Sequence, residues 1–201
     1  LSIEPAPVNS GIVFQRTDIS AAPIPALYDH VVETRLSTVI GDDTHRENRV
    51  ATIEHLMSAL AGLGIDNVRI FVDGPELPVL DGSSADFVFL LDCAGRLEQE
   101  APRREIRILK PVHVESGSAS VTLLPAENSA FALSMSIDFT ASAIGCQNFD
   151  LRLTEMAFRK ELAFSRTFTN RQEIETLRSM GLALGGSLDN AIVVDEDRIL
   201  N

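Results

Sequence analysis

The chain has 201 residues, of which 45% are hydrophobic, 23% charged and only 5% aromatic, with no Trp and a single Tyr. This composition excludes disordered, collagen-like and low-complexity chains, and a compact chain of this length buries roughly 70% of its unfolded surface, enough for one substantial core or two small ones. Seventeen Lys and Arg against 29 Asp and Glu leave a net charge of -12, which repels phosphate backbones and anionic lipid heads, so nucleic acid and membrane surfaces are not expected partners.

Residues 11–16 and 31–40 read as strands, the second alternating Val32, Thr34, Leu36 and Thr38 with Val31, Glu33, Arg35 and Ser37. A polar turn over 41–48 follows. Thr52 then fits an N-cap, with Ile53, Leu56, Met57 and Leu60 at i, i+3, i+4 and i+7, and Gly62 and Gly64 placed to stop the helix. Residues 68–72 read as a buried strand, 73–83 as a loop whose Pro75 and Pro78 forbid regular structure, and 85–94 as a second short helix. Around 98–104 the sequence turns charged, contains Pro102 and loses its apolar period, which places a boundary between domains over 1–102 and 103–201. Beyond it, 106–109, 112–115, 119–124, 131–139 and 147–153 read as strands. Thr154 fits the cap of a helix over 155–162, a further helix over 171–180 ends at Gly181, and 188–194 returns to strand. Strands and helices in blocks, without regular βαβ alternation, predict an α+β fold.

No apolar run reaches the roughly 18 residues of a spanning helix, so no integral membrane segment is expected. Leu1 onward lacks the basic, apolar and small-residue regions of a secretory signal, and a cytoplasmic location follows. Cys93 and Cys146 have no Cys-x-x-Cys neighbour, which fits neither a disulfide framework nor a thiolate zinc knuckle, and both are expected to be reduced and buried.

Glu54 and His55 stand side by side in the first turn of the clearest helix, off its apolar stripe. The positive end of the helix dipole disfavours imidazolium and favours carboxylate, which suits a ligating neutral imidazole beside an ionised base. Zinc hydrolysis uses that pairing, although taken alone the signal is weak, because a Glu-His dipeptide at a helix start is usually a solvated first turn. His30, His45 and His113 form no His-x-x-x-His or His-x-x-x-Asp pair and read as structural or surface residues. Asp73, Glu76 and Asp81 offer the carboxylates of a glycosidase, against which stands the turn chemistry of Asp-Gly and Gly-Pro. Gly62-Leu63-Gly64 lacks the third glycine of a dinucleotide fingerprint, and Gly185-Gly186-Ser187 lacks the lysine of a phosphate loop. Arg166-Thr167-Phe168 sets a hydroxyl between a cation and an aromatic ring, suited to a strand edge lining a site.

The stretch from Ala51-Thr52-Ile53-Glu54-His55-Leu56-Met57 through Gly62-Leu63-Gly64-Ile65-Asp66-Asn67, then Glu76-Leu77-Pro78-Val79-Leu80-Asp81-Gly82-Ser83, Arg166-Thr167-Phe168 and Gly185 to Val194, resembles the UDP-3-O-acyl-N-acetylglucosamine deacetylases. These are zinc amidases of lipid A synthesis in Gram-negative bacteria. The resemblance implies two β-α-α-β domains packed helix layer to helix layer, each with an inserted element, with the site between them. It implies Zn2+ as cofactor with His55 as one ligand, Glu54 as the general base toward the zinc-bound water, and Thr167 as a stabiliser of the oxyanion. Phe168, Ile174, Ala191 and Val193 would line the passage for the acyl chain, and Phe139 and Glu173 would contact the sugar-nucleotide. The substrate would be UDP-3-O-acyl-N-acetylglucosamine, attacked at its 2-acetamido group, and the protein a monomer. Asn170 and Arg171 stand where family members often carry apolar residues, making one wall of the passage more polar.

The family's remaining zinc ligands, in a His-Lys-x-x-Asp stretch, and its later general-acid histidine fall beyond Asn201, while its first strand falls before Leu1. A fragment truncated at both ends, inactive alone, is therefore expected. The competing readings are a non-catalytic sugar-nucleotide binding module of the same fold and the carboxylate glycosidase.

Overall fold

The computed structural model of the chain describes residues 1–42, 44–126, 131–179 and 185–201. In chain order its first half contains β1 (Ser2–Pro5), β2 (Ile12–Arg16), β3 (Ile24–Pro25), β4 (Val31–Glu33), β5 (Val39–Asp42), β6 (His45–Val50), α1 (Glu54–Gly62), β7 (Val68–Val72) and α2 (Ala85–Ala94). The second half contains β8 (Val112–Ser116), β9 (Ala119–Leu123), β10 (Phe131–Asp138), β11 (Cys146–Leu153), α3 (Glu155–Ala157) with a π-helical turn at Phe158–Leu162, β12 (Phe168–Asn170), α4 (Arg171–Ser179), β13 (Ile192–Asp195) and β14 (Arg198–Ile199). The fold is mixed α+β, built from several small sheets.

The core lies under the sheet of order β1-β7-β2-β3, in which β2 and β7 run parallel. Period-two alternation buries Val68, Ile70 and Val72 of β7 while Arg69 faces solvent. Phe14, Ile24 and Ile70 meet Leu56, Ala59 and Leu60 of α1 and Phe87, Val88 and Leu91 of α2. Phe158 and Ala163, from the second half, close the same cluster. A Cβ on Gly62 would overlap the Phe158 ring, so the last residue of α1 has to be glycine for this contact to form. Gly64, at φ +68, then reverses the chain, and Ile65 N–H donates to the Leu60 carbonyl at 2.8 Å.

Charged side chains tie α2 to α3. Arg159 Nη1 and Nη2 meet the Asp92 carboxylate at 2.6 and 2.8 Å, and Nη2 meets Glu155 at 2.8 Å. Arg96 grips Glu155 at 2.9 and 3.0 Å and also donates to the Leu63 carbonyl at 2.7 Å. Arg159 and Arg96 hold the Asp92 and Glu155 carboxyls below their ordinary values, Arg159 acting chiefly on Asp92 and Arg96 chiefly on Glu155.

Several expectations change. Residues 31–40 are not one strand: β4 ends at Glu33, Leu36 takes a φ of 70, and β5 returns antiparallel from Val39. The alternation read there runs straight through a turn. The supposed polar turn over 41–48 is mostly strand, because β5 reaches Asp42 and β6 starts at His45. Its polarity reflects solvent-facing His45, Arg46 and Glu47, and Gly41 lets the strands approach, since a Cβ there would meet the Asn48 carbonyl at 2.9 Å. Thr52 does not cap α1: it sits at φ 59 and its hydroxyl donates to Glu76 Oε1 at 2.7 Å.

Residues 106–109 form no strand, and Ile106 and Leu109 face solvent. Cys93 and Cys146 are both exposed rather than buried, one on the outer face of α2 and one at the start of β11. The 188–194 strand begins only at Ile192. By contrast Thr154 caps as expected, its hydroxyl accepting from Ala157 N–H at 3.1 Å. The expected helix end at Met180 and Gly181 lies outside the described residues.

Candidate active site

Glu54 is the first residue of α1, whose start carries no side-chain cap. The unpaired N–H groups of that end favour an anion. The half-buried Glu54 carboxylate is also held from the side: Oε2 accepts the backbone N–H of Thr38 at 2.9 Å. The Thr38 carbonyl in turn accepts from Ile53 N–H at 3.4 Å, so the β4–β5 turn is clipped to the helix start. That turn contains Leu36 in the left-handed region, a conformation costing a branched side chain of order 1 kcal/mol. An apolar cleft of about 360 Å³ opens beside Glu54, walled by Leu27, Tyr28, Val31, Ile40 and Met57.

His55 follows on α1, half-buried, with no hydrogen bond or ion pair from its ring among the described residues. The chain leading into the helix is pinned to the 73–83 loop. Ala51 N–H donates to the Pro75 carbonyl at 2.8 Å, and Leu77 N–H donates to the Ala51 carbonyl at 3.1 Å. The far end of the same loop reaches Thr167, whose N–H donates to the Gly82 carbonyl at 2.8 Å. One short loop thus joins the Glu54-His55 helix start to Thr167, while no direct hydrogen bond among the described residues links them.

Thr167 immediately precedes β12, as the strand-edge reading anticipated, and its carbonyl accepts from Ile192 N–H at 2.9 Å. With both backbone groups bound, its exposed hydroxyl has no intramolecular partner among the described residues. Phe168 pairs with Ile192 in the parallel β12–β13 ladder. Phe139 stands edge-on to Phe168, with centroids 5.3 Å apart at 74°, which brings two expected substrate contacts together. Val193 lies opposite Thr169 and is buried, and Ala191 is half-buried at the entry to β13. Ile174 is half-buried and Glu173 exposed on α4, which packs against β12 and β13.

Two contributors escaped the sequence reading, the Thr38 N–H behind Glu54 and the Gly82 carbonyl behind Thr167. Both act through backbone atoms, which residue type does not reveal. Gly82 left one signal in its Asp-Gly turn, which reads equally as ordinary turn chemistry.

His30, His45 and His113 each meet a nearby carboxylate at the surface, in line with their reading as structural or surface residues. Among the described residues no group of three His, Cys, Asp or Glu could hold a metal ion. A catalytic zinc takes three protein ligands, so His55 alone does not make a zinc centre.

A carboxylate oriented at a helix start, beside an imidazole and an apolar cleft, is a geometry that a general base can use. The family model for UDP-3-O-acyl N-acetylglycosamine deacetylase matches residues 1–201, and the chain belongs to this family. It is similar to the UDP-3-O-acyl-N-acetylglucosamine deacetylase of Acidithiobacillus ferrooxidans, at 54% identity over 100% of this chain and 66% of that protein. The proteins of the same name from Phenylobacterium zucineum and Myxococcus xanthus are 51% and 49% identical, again over 100% of this chain and over 68% and 63% of their own lengths. The chain thus spans about two thirds of the length of the curated relatives it matches.

Proposed function

We propose that this protein hydrolyses the 2-acetamido group of UDP-3-O-acyl-N-acetylglucosamine, releasing acetate for lipid A synthesis, as a zinc-dependent monomeric enzyme of the cytoplasm. The observation that carries the reading is the Glu54 carboxylate, held by Thr38 N–H beside His55 in a chain that matches the deacetylase family throughout. Glu54 takes a proton from water as the water oxygen bonds to the acetamido carbon. The C–N bond then breaks, the proton goes to the departing amine, and acetate leaves. Thr167 donates its free hydroxyl to the carbonyl oxygen as negative charge develops there, where a fixed donor acts most strongly.

Zinc is proposed from family membership, and His55 is the ligand these residues contribute. On this reading the other ligands lie in the third of the relatives' length that the chain does not span, and the 201 residues alone release no acetate. Phe168, Ile174, Ala191 and Val193 line the passage for the acyl chain, where each buried methylene is worth about 0.8 kcal/mol. Phe139 and Glu173 contact the sugar-nucleotide. The packing of α4 on β12 and β13, and of Phe139 on Phe168, supports this grouping. Two β-α-α-β domains over 1–102 and 103–201 are proposed as the frame; the absence of helix or strand across residues 95–111 supports the boundary.

The test is acetate release from UDP-3-O-acyl-N-acetylglucosamine by the complete gene product and by Glu54→Gln. The variant is expected to lose about 10²–10⁴-fold in kcat, the span of a general base. Undiminished turnover would remove Glu54 from the role, whereas binding of the sugar-nucleotide without any acetate release would favour the non-catalytic module.

A further inference from the structure

We infer that Arg166 is a positioning residue that fixes the Thr167 hydroxyl by binding backbone carbonyls on both segments that flank it. The inference rests on the oxyanion role proposed for Thr167. Arg166 Nε donates to the Asp81 carbonyl at 2.8 Å, and Nη2 donates to the carbonyls of Leu188, at 3.3 Å, and Asp189. Thr167 is bound between the same two segments: its N–H goes to Gly82, next to Asp81, and its carbonyl accepts from Ile192, just past the turn that holds Asp189. The guanidinium and the threonine backbone therefore form two adjacent rungs across one seam.

A guanidinium suits this task. Its donors lie in one rigid plane, so a single side chain can serve acceptors on two strands of backbone, and its charge strengthens each bond. Among the described residues Arg166 forms no ion pair, so its charge is directed at these carbonyl oxygens. The seam is closed tightly on the opposite side as well. Gly82 sits at φ +84, and a Cβ there would overlap the Asn190 carbonyl oxygen and meet Thr167 Cγ2 at 3.4 Å. Removing the guanidinium leaves the 81–82 and 188–190 segments free to part, and Thr167, bound to both sides, moves with them. A hydroxyl displaced by about 1 Å from a developing oxyanion loses on the order of 10²-fold in rate.

The experiment compares Arg166→Ala, Arg166→Lys, Thr167→Val and the Arg166→Ala/Thr167→Val double variant in the complete gene product. With UDP-3-O-acyl-N-acetylglucosamine, Arg166→Ala is expected to lower kcat about 100-fold, with KM changing less than about 3-fold. Arg166→Lys, which keeps the charge but not the planar fork, falls between. In the Thr167→Val background, Arg166→Ala should cost less than a further factor of about 3, because the group it positions is already gone. Multiplicative losses, or a change confined to KM, would overturn the inference.

A second arm needs no turnover: hydrogen exchange at the Thr167 and Ile192 amides should accelerate at least about 10-fold in Arg166→Ala, with β2 and β7 unchanged. Unchanged exchange at those two amides also overturns it. If the wild-type protein releases no acetate, the proposed function fails while the exchange arm still decides on Arg166. If Arg166→Ala loses the protection of β2 and β7 and so does not fold, Arg166→Lys carries both comparisons.

Discussion

At Gly82 a φ of +84 coincides with a carbonyl oxygen standing where a side chain would be, whereas Gly74, in the same loop, has ordinary φ and nothing within 4 Å of its hypothetical Cβ. Gly82→Ala combines a left-handed alanine, worth roughly 1–2 kcal/mol, with a displaced Asn190 backbone, so urea denaturation should show a loss above about 2 kcal/mol. Gly74→Ala should be neutral or stabilising by up to about 1 kcal/mol, because it only restricts the unfolded chain. Equal effects at the two positions would contradict the seam described between Gly82 and Thr167. A second residue-scale case is the exposed cluster at the β5–β6 turn. Thr44 hydroxyl and N–H, followed by His45, push the Asp42 carboxyl down to about 2. Asp42 in return raises His45 above its ordinary value. The His45 contribution is thus complete below pH 6.5 and disappears as pH rises through the raised value, while that of Asp42 disappears only as pH falls toward 2. A proton-resolved titration should give His45 a midpoint above 6.5 that drops in Asp42→Asn. At this scale the Glu54-His55 pair was legible, since side-chain type and helix phase suffice to find it. Thr38 was not, because it contributes a backbone N–H delivered by a turn.

Between elements, apolar burial and ion pairs join α1 and α2 to the α3 region with very different weights. Phe158 is 3% exposed and fills the space above Gly62. Phe158→Ala should cost about 3–5 kcal/mol by urea denaturation, the range for a large aromatic in a core. Arg159→Ala removes bonds to both Asp92 and Glu155, yet those partners are about 40% exposed, and solvent screening keeps the loss well below that of Phe158→Ala. A larger effect from the arginine than from the phenylalanine would reverse this ranking. Among single elements, α2 was read with its observed bounds because its apolar period and flanking glycine are local signals. Residues 31–40 were misread because a hairpin whose turn keeps the polar alternation looks the same as one straight strand until its pairing partner is known. β1, β3 and β14 were not recognised, since strands of two to four residues are too short to show a period.

Across the whole molecule, protection is expected to be uneven. The cluster under the β1-β7-β2-β3 sheet holds nearly all the deeply buried apolar side chains, whereas β8 and β9 are exposed along their full length. The β10–β11 pair collects Phe131, Leu133 and Met135 opposite Leu153, Leu151 and Phe149, with Phe131 and Met135 more than half exposed. Native-state hydrogen exchange should therefore release the β8–β9 and β10–β11 amides at least about 100-fold faster than those of β2 and β7. Uniform protection would show that the hairpin faces are covered in solution.

The sequence by itself determined the α+β class, the α2 helix, the Glu54-His55 helix start and, through its motifs, the family, because each of these is written in residue type and local spacing. Only the tertiary structure decided that the Thr38 N–H holds the Glu54 carboxylate, that one loop links α1 to Thr167, and that Arg166 bridges Asp81 to Asp189. Those relations join backbone atoms as far as 108 positions apart in number, from Asp81 to Asp189. A main-chain carbonyl is the same at every residue, so nothing in the side-chain order marks the ones that folding brings together.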